Sequence, residues 1–235
     1  MTTFLRIAVT ALFLTAGWNA AQAQDVPAPP AKGPVYVVTF IDVAPSAIPD
    51  TIAALKQYRD ASRKEVANLG ANLFQDTGQA NHFMIQEVWK EQPDYDAHTK
   101  AASATQFFAH LKPVEFGPPD IRVHRGFSMG PKMAVGANAG VYVMIHLDVA
   151  PPFFAALQVP LKPFTEASRK EDGVLRFDLL QHVDPRQNHI TVLEAWRDVA
   201  AFDAHQAAAA TKTFREKLHP IIGALYDQRL YKAIN

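Results

Sequence analysis

Val35, Val37, Thr39 and Ile41 alternate with Tyr36, Val38, Phe40 and Asp42, so both faces of this run carry apolar bulk, as in a strand covered on both sides. Ile48, Ile52, Leu55, Ser62, Val66 and Leu69 then recur near helical spacing. Two strand-like runs, Leu73 to Gln75 and Phe83 to Trp89, flank the turn signal Thr77-Gly78 and read as a hairpin. Asp94 to Leu111 is helical in composition, and Ile121 to Phe127 closes the pattern with a last strand. The predicted order is strand, helix, strand, strand, helix, strand.

The order then returns. Val35-Tyr36-Val37 and Asp42-Val43-Ala44-Pro45 recur as Val141-Tyr142-Val143 and Asp148-Val149-Ala150-Pro151, and Ala61-Ser62-Arg63-Lys64-Glu65 as Ala167-Ser168-Arg169-Lys170-Glu171, at an offset of 141 − 35 = 106. From Glu87-Val88-Trp89 onward, matched by Glu194-Ala195-Trp196, the offset is 194 − 87 = 107. The added residue falls in the turn at Val183-Asp184-Pro185-Arg186-Gln187, where an insertion costs little. A period this long marks a duplicated small domain rather than a solenoid repeat. The second copy predicts strands near 141–149, 174–182, 189–196 and 226–233. Pro160 and Pro163 fall where the first copy has an uninterrupted helix, so the second copy's first helix is expected to begin late or to kink.

A βαββαβ unit is the ferredoxin-like arrangement, an antiparallel sheet with both helices on one face. Its other face is bare but apolar here, and a second such sheet covers it. The expected fold is α+β: two ferredoxin-like repeats, 35–128 and 140–235, packed sheet to sheet as an intramolecular barrel that removes exposed strand edges. Gly130, Pro131, Gly136 and Gly140 mark a connector over about 129–139, and Pro27, Pro29, Pro30 and Pro34 make 24–34 a stiff leader expected to be solvated.

At 49% hydrophobic and 20% charged, with 235 residues, the chain is ordinary globular material able to bury a large core. Lysine plus arginine equals aspartate plus glutamate at 23 each, so no charge excess points to nucleic acid or an anionic membrane. Residues 1–23 read as a secretory signal, with Arg6 before the apolar run Ile7 to Trp18 and a small-residue cleavage site at Ala21-Gln22-Ala23. The expectation is a periplasmic or secreted protein with no membrane contact after cleavage. With no cysteine, the fold relies on its core alone.

Asn81-His82-Phe83, Glu87-Val88-Trp89 and Tyr95-Asp96-Ala97-His98, repeated as Asn188-His189-Ile190, Glu194-Ala195-Trp196 and Phe202-Asp203-Ala204-His205, resemble the antibiotic biosynthesis monooxygenase domain of the dimeric α+β barrel superfamily. In that family two chains usually pair to close the barrel, so the resemblance implies a pair fused into one chain. It also implies a cofactor-free oxygenase acting with molecular oxygen on an electron-rich phenol or quinol. The alternative is a non-catalytic exported barrel that binds a small apolar ligand or serves a structural role. Ser103 and Ala210 stand where many members carry a second histidine. Ile41 and Leu147, His98 and His205, and Phe108 and Arg215 replace the asparagine, tryptophan and haem-binding histidine of haem-degrading relatives, which disfavours haem degradation.

His98 and His205 are the candidate bases, since a neutral imidazole takes a phenolic proton near neutrality; the competing role is a histidine bonded to a carboxylate or carbonyl, holding helix to sheet. Phe107 and Phe214 lie nine residues beyond them, about half a turn off on an ideal helix, so the second helix is expected to break near 101–104. Glu87 with Trp89, and Glu194 with Trp196, share one strand face. The tryptophans stack on an aromatic substrate or anchor the core. The glutamates handle protons or form an ion pair, most simply with Arg122 or Arg229. Asn81 and Asn188 bond backbone or orient a substrate oxygen. His146 replaces Phe40 of the first copy.

No local histidine and carboxylate spacing of the metal-site kind, no glycine-rich phosphate loop and no Gly-x-Ser-x-Gly elbow is present, so neither metal nor cofactor is expected.

Overall fold

A computed structural model describes residues 26–131 and 139–235. Residues 1–23, expected to be a signal segment, and most of the connector lie outside them. The first repeat runs β1 (Val35–Asp42), α1 (Ile48–Ser62), β2 (Asn68–Asp76), β3 (His82–Trp89), α2 (Gln92–His98), α3 (Ala102–Leu111) and β4 (Asp120–Ser128). The second runs β5 (Val141–Asp148), α4 (Phe154–Ser168), β6 (Val174–His182), β7 (His189–Trp196), α5 (Val199–Ala207), α6 (Ala209–Leu218) and β8 (Asp227–Ala233).

Three local outcomes follow from side chains. First, α1 stops at Ser62, and Val66 and Leu69 are exposed rather than on its buried face. Arg63 Nε reaches Ala71 O at 2.8 Å and Asn68 N closes a turn on Glu65 O at 3.0 Å, turning the chain early into β2. Second, the long helix does break: α2 ends at His98 and α3 starts at Ala102. A capping box between Glu91 and Asp94 starts α2, and Asp198 accepts from Ala201 N at 2.8 Å to start α5. Third, α4 does not begin late. It spans 15 residues, as α1 does, with Pro160 and Pro163 inside it. The carbonyls that each proline leaves without an amide donor belong to Ala156 and Val159, both exposed residues on the solvent side of the helix, where an unpaired carbonyl costs least.

The strands close an eight-stranded barrel in the order β1-β3-β2-β8-β5-β7-β6-β4. Each repeat supplies its own antiparallel sheet, and two seams join the halves. One pairs Phe74 with Ala233 and Asp76 with Tyr231; the other pairs His124 with His182 and Arg125 with Gln181. Alternation along β1 now has its explanation: Val38 and Phe40 enter a lumen cluster with Phe74, Met84, Met144, Leu180, Leu193 and Tyr231, while Ile41 packs under the helices with Leu55, Leu73, Phe83 and Leu111. Each such fully buried side chain contributes about 1.5–3 kcal/mol of transfer free energy, which explains how a chain without cysteine holds together. Beside the lumen cluster His124, His146, His182 and His189 gather as a group of four, and burial drives His124 and His146 down to about 3.

Most residues of the described leader are exposed, as expected, yet the segment is pinned to the barrel. Gln181 Nε2 donates to Pro27 O at 2.8 Å and Arg125 Nη2 to Ala31 O at 3.1 Å, while Val26 packs on the second repeat's core. Both anchors sit on the β4–β6 seam, facing each other in register, so the leader straps that seam.

Candidate active site

The repeated Ala-Ser-Arg-Lys-Glu segment ends α1 and α4 in the same way. Ser62 Oγ donates to Tyr58 O at 3.0 Å and Ser168 Oγ to Phe164 O at 2.9 Å, and the arginine that follows bonds a strand carbonyl, Ala71 O or Phe177 O. This geometry aims the last residue of the segment at a histidine. Glu65 Oε1 lies 2.8 Å from His98 Nδ1, and Glu171 Oε2 lies 2.9 Å from His205 Nδ1. Both histidines are 1% exposed and stack on a tryptophan, His98 on Trp89 at 4.3 Å and His205 on Trp196 at 4.6 Å between ring centres.

The other imidazole nitrogen separates the copies. In the first, His98 Nε2 is 2.7 Å from the Tyr58 hydroxyl and 3.5 Å from Glu87 Oε1, and the same hydroxyl lies 2.9 Å from Glu87 Oε2. With His98 Nδ1–H donated to Glu65, two acceptors, His98 Nε2 and Glu87, share one hydroxyl proton. The set Glu65, His98, Tyr58 and Glu87 therefore has room for one more proton. Burial pushes the Glu87 carboxyl up, opposed by His98 and by the Tyr58 hydrogen bond, and burial together with the Glu87 charge pushes Tyr58 well up. Tyr58 thus stays protonated and works as a conduit rather than as an anion.

In the second copy Phe164 replaces Tyr58, so no hydroxyl lies between histidine and glutamate. Glu194 Oε1 is 4.0 Å from His205 Nε2, and Glu194 Oε2 instead accepts from Trp196 Nε1 at 2.8 Å. The Nε1 of Trp89 is buried without a partner. Burial raises Glu194 to about 7, its tryptophan hydrogen bond opposing, and lowers His205 to about 4 with help from Arg215.

Neither glutamate is paired with the arginines expected. Arg122 is held by Asp120 at 2.7 Å, and Arg229 lies 3.4 Å from Asp227 and 3.7 Å from Asp76. The reason is facing: Glu87 and Glu194 point toward the helices, where tyrosine, tryptophan and histidine meet them. Asn81 Nδ2 donates to Val43 O at 2.7 Å and Asn188 Nδ2 to Val149 O at 2.8 Å, tying β1 to β3 and β5 to β7 beyond their last pairs.

A groove of about 610 Å³ runs between α1 and α3, lined by Ala53, Ala54, Ala61, Tyr58 and Phe107, with Asp50, Gln57, Ser103, Gln106 and His110 around them. Tyr58 stacks on Phe107 at 4.5 Å. It stands between the groove and the buried imidazole, so Trp89 and His98 lie behind the wall and do not line it. At the matching positions of α4 the sequence carries Val159, Pro160, Pro163 and Phe164, and Phe164 stacks flat on Phe214 at 4.2 Å. A cavity of about 440 Å³ at one barrel mouth, lined by Phe40, His82, Arg122 and Met144 among others, opens on the lumen face and not on this network.

Sequence reasoning missed Tyr58, Glu65 and Glu171. The repeated pentapeptide was a signal for the two glutamates. Tyr58 had none in the repeat, because its counterpart is phenylalanine.

The family model for antibiotic biosynthesis monooxygenases matches residues 34–110 and 140–217, one match in each repeat. Among solved structures, a candidate monooxygenase of Fusobacterium nucleatum superposes with a TM-score of 0.76 at 18% identity over 87% of this chain and 94% of its own. One from Lactobacillus acidophilus gives 0.69 at 14% over 87% and 95%, and an anthrone oxidase-like protein gives 0.69 at 12% over 91% and 93%. At these identities the likeness establishes the fold: the entire two-repeat barrel recurs. No curated protein sequence is significantly similar to the chain.

Proposed function

The chain belongs to the antibiotic biosynthesis monooxygenase family, and on that premise we propose that it oxidises an electron-rich phenol or quinol with molecular oxygen, without a cofactor, in the groove of the first repeat. The observation that carries the reading is the hydrogen-bonded set Glu65, His98, Tyr58 and Glu87, of which Tyr58 lines that groove and the others lie behind it. The apolar stretch of Ala53, Ala54, Ala61 and Phe107 suits a flat aromatic ring, and the polar positions around it suit the ring's hydroxyl groups.

Ionising the substrate is the step that needs the protein. A phenol bound against Tyr58 passes its proton to the tyrosine oxygen as the tyrosine proton moves on to His98 or Glu87, a relay that leaves no charge on Tyr58. The resulting phenolate is electron-rich enough to give one electron to oxygen, and the radical pair combines at a ring carbon. Loss of water from the hydroperoxide leaves a quinone, so one oxygen atom enters the product, the other leaves as water, and no outside reductant is consumed. The protein contributes positioning, exclusion of bulk water and proton transfer. Oxygen uptake and quinone absorbance, measured over a panel of naphthols, anthrones and naphthoquinols, test this. Turnover of at least one class is expected, with Tyr58→Phe lowering it ~100-fold or more, the scale of a lost proton-transfer group. Tight binding of such rings with no oxygen uptake would instead mark a ligand-binding barrel.

A further inference from the structure

The barrel interior holds a second cluster that the oxidation reading does not use. His146 on β5, His189 on β7, His182 on β6 and His124 on β4 come from four strands adjacent in the barrel. Ring centres are 5.3 Å apart for His146 and His182, 4.9 Å for His146 and His189, and 4.0 Å for His124 and His182. Hydrogen bonding settles one tautomer. His189 Nε2 lies 3.1 Å from the Asp148 carboxylate and so carries the proton; His189 Nδ1, 3.0 Å from His146 Nε2, then accepts from it. His146 Nδ1 is left with a bare lone pair, and it is buried without a partner. His182, 4% exposed, has its Nε2 buried without a partner as well. The first repeat places Phe40 and Asp76 at the matching positions, so this pair of rings is particular to one end of the barrel.

A buried imidazole lone pair is satisfied by a hydrogen-bond donor or by a metal ion, and a metal-bound imidazole ordinarily hands its other nitrogen's proton to an orienting group. The chain from Asp148 through His189 to His146 has that form. Two imidazoles bound at ~2.0–2.1 Å to one tetrahedral ion have ring centres roughly 5 Å apart, close to the 5.3 Å between His146 and His182. We propose that His146 and His182 form a two-nitrogen site for a divalent transition-metal ion of borderline softness, Zn2+ or Cu2+, within the barrel. Among the described residues no three histidine, aspartate or glutamate side chains are arranged to hold a metal ion, so the remaining positions fall to water or a small anion. Arg122, whose charge is felt at both rings and whose Nη1 is buried without a partner, offers a donor to such an anion.

Titration of the purified full chain with Zn2+ by calorimetry should show one site. His146→Phe, which installs the residue of the first repeat, should weaken binding at least tenfold, whereas His219→Ala, at an exposed histidine just past the end of α6, should leave it unchanged. Paramagnetic resonance of the protein with one equivalent of Cu2+ gives an answer that does not depend on any variant's folding: splitting from two nitrogen nuclei is expected. Absence of stoichiometric Zn2+ binding, equal affinity in His146→Phe, or a Cu2+ spectrum with fewer than two nitrogens would overturn the site. None of these readouts depends on turnover, so the outcome leaves the oxidation reading untouched.

Discussion

The two repeats present the same carboxylate, histidine, tryptophan and strand glutamate, and differ where a groove meets them. In the first, Tyr58 bridges His98 to Glu87 and lines a groove walled with alanines. In the second, Phe164 stands in its place, the helix facing carries Val159, Pro160 and Pro163, and Glu194 turns to Trp196. The shared parts fasten helix to sheet in both copies. A mere fastening has no need of a hydroxyl shared by two acceptors or of a wall cut back to alanine, so these are the parts that point to chemistry. The lesson is that duplication separates the two roles of a histidine that a single copy would confound.

Exchanging the histidines tests the comparison most severely. His98→Ala should lower turnover ~100- to 10,000-fold, equivalent to about 3–5 kcal/mol of transition-state stabilisation, while His205→Ala should keep turnover and both should lower the urea midpoint. Equal kinetic losses would mean that both copies work; unchanged turnover in both would reduce His98 to a fastening.

A pH series sharpens it next. Glu194 has its folded-state pKa raised by burial to about 7, so the folded protein binds a proton more tightly than the unfolded chain does. The resulting stabilisation is complete below the ordinary carboxylate range and is lost as pH rises through about 7, a swing of up to about 3 kcal/mol. His205 works in the opposite sense, its pKa lowered to about 4, so it weakens the fold below about 6 and partly masks the swing in the wild type. Glu194→Gln keeps an acceptor for Trp196 and should gain stability on the wild type between pH 5 and 8, read from denaturation midpoints. A constant difference across that range would show that Glu194 does not titrate there.

The smallest effect concerns the seams. The leader straps only the β4–β6 seam; at the other, Ile234 N bonds Leu73 O at 2.8 Å and Arg59 Nη1 bonds Ile234 O at 3.0 Å. Deleting residues 24–32 removes the carbonyls that meet Gln181 and Arg125 Nη2, at about 1 kcal/mol for each hydrogen bond, or about 2 kcal/mol. Amide exchange should quicken at β4 and β6 and stay as it is at β2 and β8. Uniform quickening would mean that the seams open together.

Much of the barrel was legible because alternation in β1 and a repeat at long period fit one requirement: a strand apolar on both faces must be covered twice, and the second copy is the cover. Helix ends were less legible, since α1 stops where Arg63 finds a strand carbonyl that no local pattern reveals. The prolines of α4 misled only as to where the helix starts, because a proline inside a helix removes a hydrogen bond without forbidding the turns before it. At the site, His98, Glu87 and Trp89 could be named from their repetition but not their partners. An arginine was the simplest counterpart for a buried carboxylate, yet the face on which Glu87 lies put Tyr58 there instead. The four lumen histidines lay on separate strands, where spacing along the chain carries no sign of their meeting.

The seams have one more consequence, for the life of the molecule at low abundance. Asp76 and Tyr231 meet across one seam and His124 and His182 across the other, and both contacts lie within a single chain. A barrel made from two separate chains comes apart on dilution, and its apparent stability rises and falls with concentration. Here closure is unimolecular, so the denaturation midpoint should be the same at nanomolar and micromolar protein, and a molecule far from any sister copy keeps its barrel shut.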